Sequence, residues 1–386
     1  MVSVRLKKKG ADRWKEGHPW IYQVDVEVPK GVPGGEIVKV VDHRGYLFGQ
    51  ALYSKASKIA LRWLSWDDRP IDEAFFKERL RAADALRQKL YPGQTTYRVV
   101  HGEADLLPGL VVDRYGDYLS LQFLHAGTDS RKDMWLRILR EHFNPKAIVG
   151  RNDVAVRVLE ALKQERGVLF GEVPPTVRYH EGDVGFDISL IDGQKTGAFL
   201  DQRENHLMAQ KYAEGECLDC FSYAGGFALQ MAKKAKSVLA IEISEHACGL
   251  IRKNAESNAL GNVTALCANA FDVQRDMLDE GRRFDTIVID PPSFAKNKDA
   301  IEGAVRGYKE LNLRAMQLLN PGGTLITSSC TYHVDEARFE AMLDSAAADA
   351  KRRVQILERR GPAQDHPVLL NLRETRYLKC FVLKVH

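Results

Sequence analysis

Short alternating apolar runs separated by turn residues open this chain. Residues 20–28 read as a strand, Pro29-Lys30-Gly31 and Pro33-Gly34-Gly35 as turns, and residues 36–41 as an alternating strand. Asp42-His43-Arg44-Gly45 reads as a hairpin loop before a strand at 46–49, and residues 58–64 as another strand. Residues 1–70 therefore predict a small β-barrel module. The period then changes. Ile71, Phe75, Leu80, Ala83, Leu86 and Leu90 mark the apolar side of a helix, with Asp72 as its cap and Tyr91-Pro92-Gly93 as its stop. Residues 106–117, followed by the alternation of Leu119, Leu121 and Phe123, predict a hairpin about a Tyr-Gly turn. A helix near 130–142 and strands near 147–149 and 168–170 complete a small α+β middle domain over residues 71–183.

From about Val184 the rhythm becomes strand, helix, strand, helix. Strands are expected at 216–221, 237–243, 263–268, 286–290 and 324–329, and helices at 226–235, 245–258 and 301–319. In the last helix Ile301, Ala304, Val305, Tyr308, Leu311, Ala315 and Leu318 hold one apolar face. This alternation implies a doubly wound parallel sheet, to which residues 377–385 add a late strand. The fold class is α/β, with a Rossmann-like domain over residues 184–386 following the β-barrel and the middle domain.

At 386 residues the chain has room for two or three domains, and 45% hydrophobic with 28% charged residues is the balance of a globular protein. A net charge of +4 does not by itself define a nucleic-acid partner. The basic run Arg5, Lys7, Lys8, Lys9, Arg13 and Lys15 reads on its own as a solvated arm. No apolar run approaches the roughly 20 residues needed to span a membrane, and no apolar segment of a signal peptide follows the basic N-terminus. The six cysteines, Cys217, Cys220, Cys248, Cys267, Cys330 and Cys380, are too sparse for a disulfide scaffold. Cys217-x-x-Cys220 resembles half of a redox or zinc motif, but no second pair with ligand spacing follows, so buried apolar cysteine is expected and no metal. A cytoplasmic location is expected. The oligomeric state stays open, a homodimer included.

Two β-branched runs end in reactive residues: 285–294, with Asp290-Pro291-Pro292-Ser293-Phe294, and 324–330, with Ser328-Ser329-Cys330. Neighbouring parallel strands put their carboxyl ends on one edge, where ligands bind. A carboxylate and a thiol would meet there, which points to covalent chemistry on a pyrimidine ring. At the first strand, Asp219-Cys220-Phe221-Ser222-Tyr223-Ala224-Gly225-Gly226-Phe227 lacks the G-x-G-x-x-G spacing of a dinucleotide site, which argues against a nicotinamide dehydrogenase. The glycine pair still permits a tight turn close to a ligand. Glu242, ending the second strand, stands where such folds bind ribose hydroxyls.

Residues 219–227, Glu242, 290–294 and 321–330 resemble the ordered motifs of class I S-adenosylmethionine-dependent methyltransferases. The run Lys195-Thr196-Gly197-Ala198-Phe199-Leu200-Asp201-Gln202-Arg203-Glu204-Asn205 resembles the K-T-G-x-[FY]-x-D-Q-R-x-N signature of their PUA-fused branch, which methylates cytosine in large-subunit ribosomal RNA. The resemblance covers nearly the whole chain. It implies a PUA domain, a middle domain and a Rossmann-like catalytic domain, with S-adenosylmethionine as cofactor and large-subunit ribosomal RNA as partner. It places Phe199, Asp201, Gln202 and Arg203 at the cofactor's methionine end, Asp219 and the Gly225 turn around it, and Glu242 on its ribose. Phe221, Ser222, Ile243 and Asp290 complete the expected cofactor set. Asn269-Ala270 stands where the family usually carries an acid for the adenine amino group.

Carbon 5 of a pyrimidine is a poor nucleophile. A thiolate adding to carbon 6 moves electron density onto carbon 5, so Cys330 is expected as nucleophile and Asp290 as the group that hydrogen-bonds or protonates ring nitrogen 3. Phe294 could stack on an extruded base or simply pack beneath its loop, and Lys296 could meet RNA phosphate, as could Lys298 and Arg306. His333 reads equally as a positioned base and as a turn residue. The segment Pro292-Ser293 lacks the Pro-Cys of two-cysteine RNA methyltransferases. Three alternatives remain: 5-methyluridine formation, although Ser329-Cys330-Thr331-Tyr332 departs from its Ser-Cys-Asn/Asp-Pro run; amino-nitrogen methylation, although Ser293 interrupts its Pro-Pro-Tyr/Phe run; and a non-catalytic RNA-binding assembly factor.

Overall fold

The computed structural model describes residues 1–295 and 298–386. The chain divides into two compact units, Met1–Val177 with Ser189–Leu200 and Gln364–Thr375, and Arg178–Ile188 with Asp201–Ala363 and Arg376–His386.

In the first unit β1 (Ser3–Leu6), β2 (Trp20–Tyr22), β3 (Val26–Glu27), β4 (Ile37–Val41), β5 (Leu47–Tyr53) and β6 (Ile59–Ser65) form one sheet, ordered β2-β6-β5-β4-β1-β3. The basic N-terminus is not a solvated arm. Val4 and Leu6 point alternately into the core, and α1 (Lys8–Lys15) buries Trp14, whose Nε1 donates to the Phe48 carbonyl at 3.0 Å. The hydrophobic positions hold the segment down while Arg5, Lys7, Lys8, Lys9 and Lys15 stay exposed. The strand expected over 20–28 is broken by a 3₁₀ turn at Gln23–Asp25, so β2 pairs with β6 and β3 with β1. Gly49, at φ +139°, lies where a Cβ would meet the Ser65 carbonyl oxygen at 2.0 Å; only glycine fits there.

A second sheet, β11-β10-β9-β8-β7, comprises β7 (Thr96–His101), β8 (Leu110–Tyr115), β9 (Tyr118–Phe123), β10 (Ala147–Arg151) and β11 (Arg166–Gly171). Around it lie α2 (Glu73–Leu90), α3 (Ala126–Asp129), α4 (Lys132–Phe143) and α5 (Val156–Leu159). Asp72 caps α2 by accepting from the Phe75 amide at 3.0 Å. The expected hairpin is β8-β9, turning at Gly116 with φ +63°. Glu103 joins the two sheets, accepting from Trp20 Nε1 at 2.8 Å and pairing with Arg62.

The second unit carries a seven-stranded sheet of β14 (Glu216–Cys220), β15 (Ser237–Glu242), β16 (Val263–Cys267), β17 (Phe284–Ile289), β18 (Leu319–Ser329), β19 (Val354–Arg360) and β20 (Lys379–Val385). Its order is β16-β15-β14-β17-β18-β20-β19, parallel except that β20 runs against both its neighbours. The helices are α6 (Arg203–Tyr212), α7 (Gly226–Ala232), α8 (Glu245–Ser257), α9 (Ala270–Asp279), α10 (Ile301–Leu318) and α11 (Glu336–Asp349). A hairpin of β12 (Val177–Glu181) and β13 (Val184–Ile188) is held where the Asn258 and Asn254 side chains accept from the Gly185 and Asp187 amides, at 2.8 and 2.9 Å. The alternating strands and helices expected from the sequence are present. Sequence patterning missed α6, α9, α11 and β19. The buried face of α11 includes the small side chains Ala346 and Ala347, and β19 is a half-exposed edge strand rich in charge, so neither stands out by hydrophobicity.

One core of this unit gathers Leu218, Ile287, Ile289, Tyr308, Leu311, Leu325, Phe339, Phe381 and Leu383. Leu325 is fully buried in the strand that ends beside Cys330. Leu325→Ala should lower the unfolding free energy by about 2–5 kcal/mol, read as a leftward shift of the urea transition.

Candidate cofactor and nucleophile site

The sheet order reverses between β14 and β17, so their carboxyl ends border a crevice that crossing helices leave uncovered. The turn after β14 is tightly wound: Phe221, Tyr223 and Gly225 have φ of 69°, 49° and 90°. Phe221 and Ser222 both donate their amides to the Ile241 carbonyl, at 3.0 and 3.1 Å. The Glu242 carboxylate accepts the Tyr223 amide at 2.9 Å and the Ser244 amide at 3.0 Å, one per oxygen, which fixes its orientation and leaves lone pairs for a hydroxyl pair. Ile243 beside it is 70% exposed, an apolar surface at a polar strand end. Asn269 accepts the Phe271 amide at 2.9 Å as the cap of α9, leaving its amide hydrogens as donors. Ala270 is buried.

Asp219 is buried and its Oδ2 accepts from Ser222 Oγ at 2.6 Å and from the Ala228 amide at 3.0 Å. Burial pushes its pKa up to about 7, with the Asp290 carboxylate adding to the shift against the Ser222 hydrogen bond. Asp219 Oδ1 is buried with no hydrogen-bond partner. A buried polar oxygen left without a partner suits the donor-rich amino-acid end of S-adenosylmethionine, and Glu242 with Ile243 suits a ribose beside a purine, so these residues fit that cofactor. His206, which packs on Gly226 and Phe227, bonds Glu181 at 2.7 Å. Burial depresses its pKa, but Glu181, Asp290 and Asp219 outweigh that and leave it raised.

The K-T-G run is divided between the units. In the first, Thr196 Oγ1 donates to Asp113, the Ala198 amide donates to Tyr115 OH at 3.1 Å, and Lys195 Nζ lies 4.4 Å from the centroid of the half-buried Phe199 ring. In the second, Asp201 accepts from Tyr377 OH at 2.7 Å, and Arg203 is fully buried at the start of α6. Gln202 Nε2 donates to Asp290 Oδ1 at 2.9 Å, and its own Oε1 accepts from Asn205 at 2.6 Å. Arg360 then donates to Asn205 at 2.8 Å, so a chain of polar contacts orients Asp290.

Cys330 is half-buried just past β18. The following Thr331 hydroxyl meets Tyr308 OH at 2.8 Å and Ser293 Oγ at 3.1 Å, tying the Asp-Pro-Pro-Ser loop and α10 to the loop after β18. Burial raises the Tyr308 phenol to about 12, and both Cys330 and Asp290 are close enough to push it further the same way. Lys379 Nζ donates to the Thr331 and Tyr377 carbonyls at 2.8 and 2.9 Å. Sequence reasoning missed the site contacts of Thr331, Tyr308 and Lys379. Lys379 did carry a signal, because it continues the alternate face of Phe381, Leu383 and Val385, otherwise wholly apolar.

Phe294 packs against Tyr308 (centroids 4.8 Å) and Phe271 (6.2 Å) and also lines an open cavity of about 530 Å³ with Phe271, Arg306 and Gly307. Lys296 lies outside the described residues. His333 stacks edge-on to Tyr332 at 5.2 Å. Cys217, Cys220, Cys248 and Cys380 are buried as expected and burial raises all four thiols, but Cys267 is exposed on edge strand β16. Among the described residues no group of His, Cys, Asp and Glu could hold a metal ion, and no helix is long and apolar enough to cross a membrane.

Residues 164–368 match the S-adenosylmethionine-dependent methyltransferase family and residues 4–66 a PUA-like domain. The chain is an S-adenosylmethionine-dependent methyltransferase with an N-terminal PUA-like domain. A methyltransferase solved with SAH covers the whole chain at TM-score 0.86 and 21% identity, and a SAM-dependent methyltransferase from Streptococcus mutans does so at 0.85 and 21%; both share its fold. The Vibrio cholerae protein named ribosomal RNA large subunit methyltransferase I is 40% identical over 98% of both chains, and that of Vibrio campbellii is 40% identical over 100% of this chain and 99% of its own. The chain belongs to the ribosomal RNA large subunit methyltransferase I family.

Two measurements test the site's energetics. With its pKa raised from 3.8 to about 7, Asp219 keeps in the fold a proton that the unfolded chain releases, so its contribution to stability is full below pH 4 and is lost as pH rises through about 7. The stability of wild type relative to Asp219→Asn should therefore decline between pH 4 and 7 and then level; a flat difference would contradict the raised pKa. Thr331→Val leaves a buried phenol short of a partner and should cost about 1–3 kcal/mol, while Ser293→Ala at the more open end should cost less, both by denaturant titration.

Proposed function

We propose that this protein methylates carbon 5 of a cytosine in 23S ribosomal RNA through a covalent bond between Cys330 and the base. The observation that carries the reading is the pairing of a half-buried thiol past β18 with a carboxyl at the end of adjacent β17, both within electrostatic reach of the Tyr308 phenol. The names of the bacterial relatives supply the substrate class.

S-adenosylmethionine supplies an electrophilic methyl group. Asp219, Phe221, Ser222 and Gly225 would hold its amino-acid end together with Asp201, Gln202 and Arg203, and sequence resemblance adds Phe199. Glu242 would take the ribose, while Ile243, Asn269 and Ala270 would border the adenine. Cys330 adds as thiolate to carbon 6, which moves the electron pair of the ring double bond toward carbon 5. Asp290, oriented by Gln202, hydrogen-bonds or protonates nitrogen 3 as that charge develops. Once carbon 5 is methylated and its proton removed, the carbon–sulfur bond breaks and Cys330 departs with its electron pair. The base must leave its stack first; Phe294 offers it a ring face, and Lys296 a phosphate contact. The exposed lysines of α1 suit an RNA backbone. The division into 1–70 for RNA binding, 71–183 as middle domain and 184–386 for catalysis belongs to this reading, as does a cytoplasmic location.

With labelled cofactor and undermethylated large-subunit ribosomal RNA, wild type should yield 5-methylcytosine and Cys330→Ala none. Asp290→Asn should lower kcat by about 10²–10⁴. Label as 5-methyluridine, or label surviving in Cys330→Ala, would overturn the reading.

A further inference from the structure

Lys379 begins β20 directly opposite Ser329 in the antiparallel ladder, one residue before Cys330. Its whole residue is 4% exposed, and its alternate neighbours Phe381, Leu383 and Val385 all face the apolar core. A lysine there has left water at considerable cost, and an ammonium in such a place is normally paired. Among the described residues none of its contacts is an ion pair. Two of its hydrogens go to neutral backbone carbonyls, those of Thr331 and Tyr377. The carboxylates it senses, Asp335 and Glu336 at the start of α11, are both exposed and screened by water. The Tyr308 phenol of α10, which meets the hydroxyl of the same Thr331, stays neutral. The remaining titratable group within its electrostatic reach is Cys330.

We infer that Lys379 is a positioning residue that stabilises the Cys330 thiolate: its ammonium, pinned by the carbonyl of the residue after the nucleophile, supplies the positive charge that the thiol's ionised form needs. The inference rests on the covalent reading for its purpose, though its chemistry can be examined without turnover. The thiol proton goes to solvent, Lys379 keeps its own, and the sulfur electron pair becomes available for the carbon–sulfur bond. A cation beside a cysteine lowers the thiol pKa, and a partly buried site strengthens the effect over the same pair in water. Burial brings the lysine itself down to about 8, so its charge is present at neutral pH and is withdrawn above that value.

The test is the rate at which iodoacetamide alkylates Cys330 in the full-length protein, followed by peptide mass spectrometry from pH 5 to 10. Lys379→Gln keeps a hydrogen-bond donor and removes the charge; Lys379→Arg keeps the charge. The Cys330 midpoint should rise by about one unit or more in Lys379→Gln, an approximately tenfold slower reaction at pH 7, and should stay near wild type in Lys379→Arg. The buried Cys217, Cys220 and Cys380 report folding, since they should resist the reagent in any folded variant. Should they react in Lys379→Gln, the shift is read instead from Lys379→Met in the same way. An unchanged midpoint in a folded neutral variant would overturn the inference even if Cys330→Ala has lost methylation. A shifted midpoint with methylation surviving in Cys330→Ala would leave Lys379 its role and sink the covalent reading alone.

Discussion

Two carboxyl groups at the ends of adjacent buried strands set the constraint that the second unit has to meet. Asp219 on β14 and Asp290 just past β17 are brought together by the reversal of strand order, and Asp290's amide reaches back to the Cys220 carbonyl. Two charges so close in a poorly solvated crevice would repel strongly. The fold separates their states. Asp219, enclosed beneath the turn, is pushed toward its neutral form, whereas Asp290 receives a donor from Gln202, itself held by Asn205 and Arg360. One acid is thus pushed toward its neutral form beneath the turn, and the other is a polar group fixed at the end of the neighbouring strand.

A different solution operates on the sulfur side. Here a hydroxyl relay fixes the loop that follows Cys330, beside the Lys379 ammonium. Thr331 joins Tyr308 of α10 and Ser293 of the Asp-Pro-Pro-Ser loop, so three segments distant in sequence share one short polar contact. Because Tyr308 also packs on Phe294 and Phe339, the same helix that braces the loop after β18 lines the aromatic cavity. Packing and hydrogen bonding are carried by the same residue.

Much of this was readable from the chain alone. Regular apolar runs announced the parallel strands, and Asp219, Glu242, Asp290 and Cys330 were legible because each lies at or near the carboxyl end of one of them. What the sequence hid was cross-chain partnering. Nothing near Gln202 indicates that its amide meets residue 290, and nothing near Thr331 points to Tyr308. The seating of the basic N-terminus was hidden for a related reason: charge was conspicuous, while the spacing of Val4, Leu6 and Trp14 that holds it against the sheet was too short to register as a period. The family resemblance groups Phe199 with Asp201, and the two belong to different compact units.

That division also bears on how the chain reaches its fold. The first unit includes Gln364–Thr375, and its Arg98 amide and Arg87 guanidinium bond to Asp365. The buried Arg87 therefore lacks one of its acceptors until almost the last residues of the chain have been made. Domains generally form in order from the N-terminus during synthesis, but here the earlier unit cannot be completed before the later one has been almost wholly translated. A fragment ending near residue 200, however sensible as a cloned PUA and middle region, would leave that guanidinium short of its closing contact.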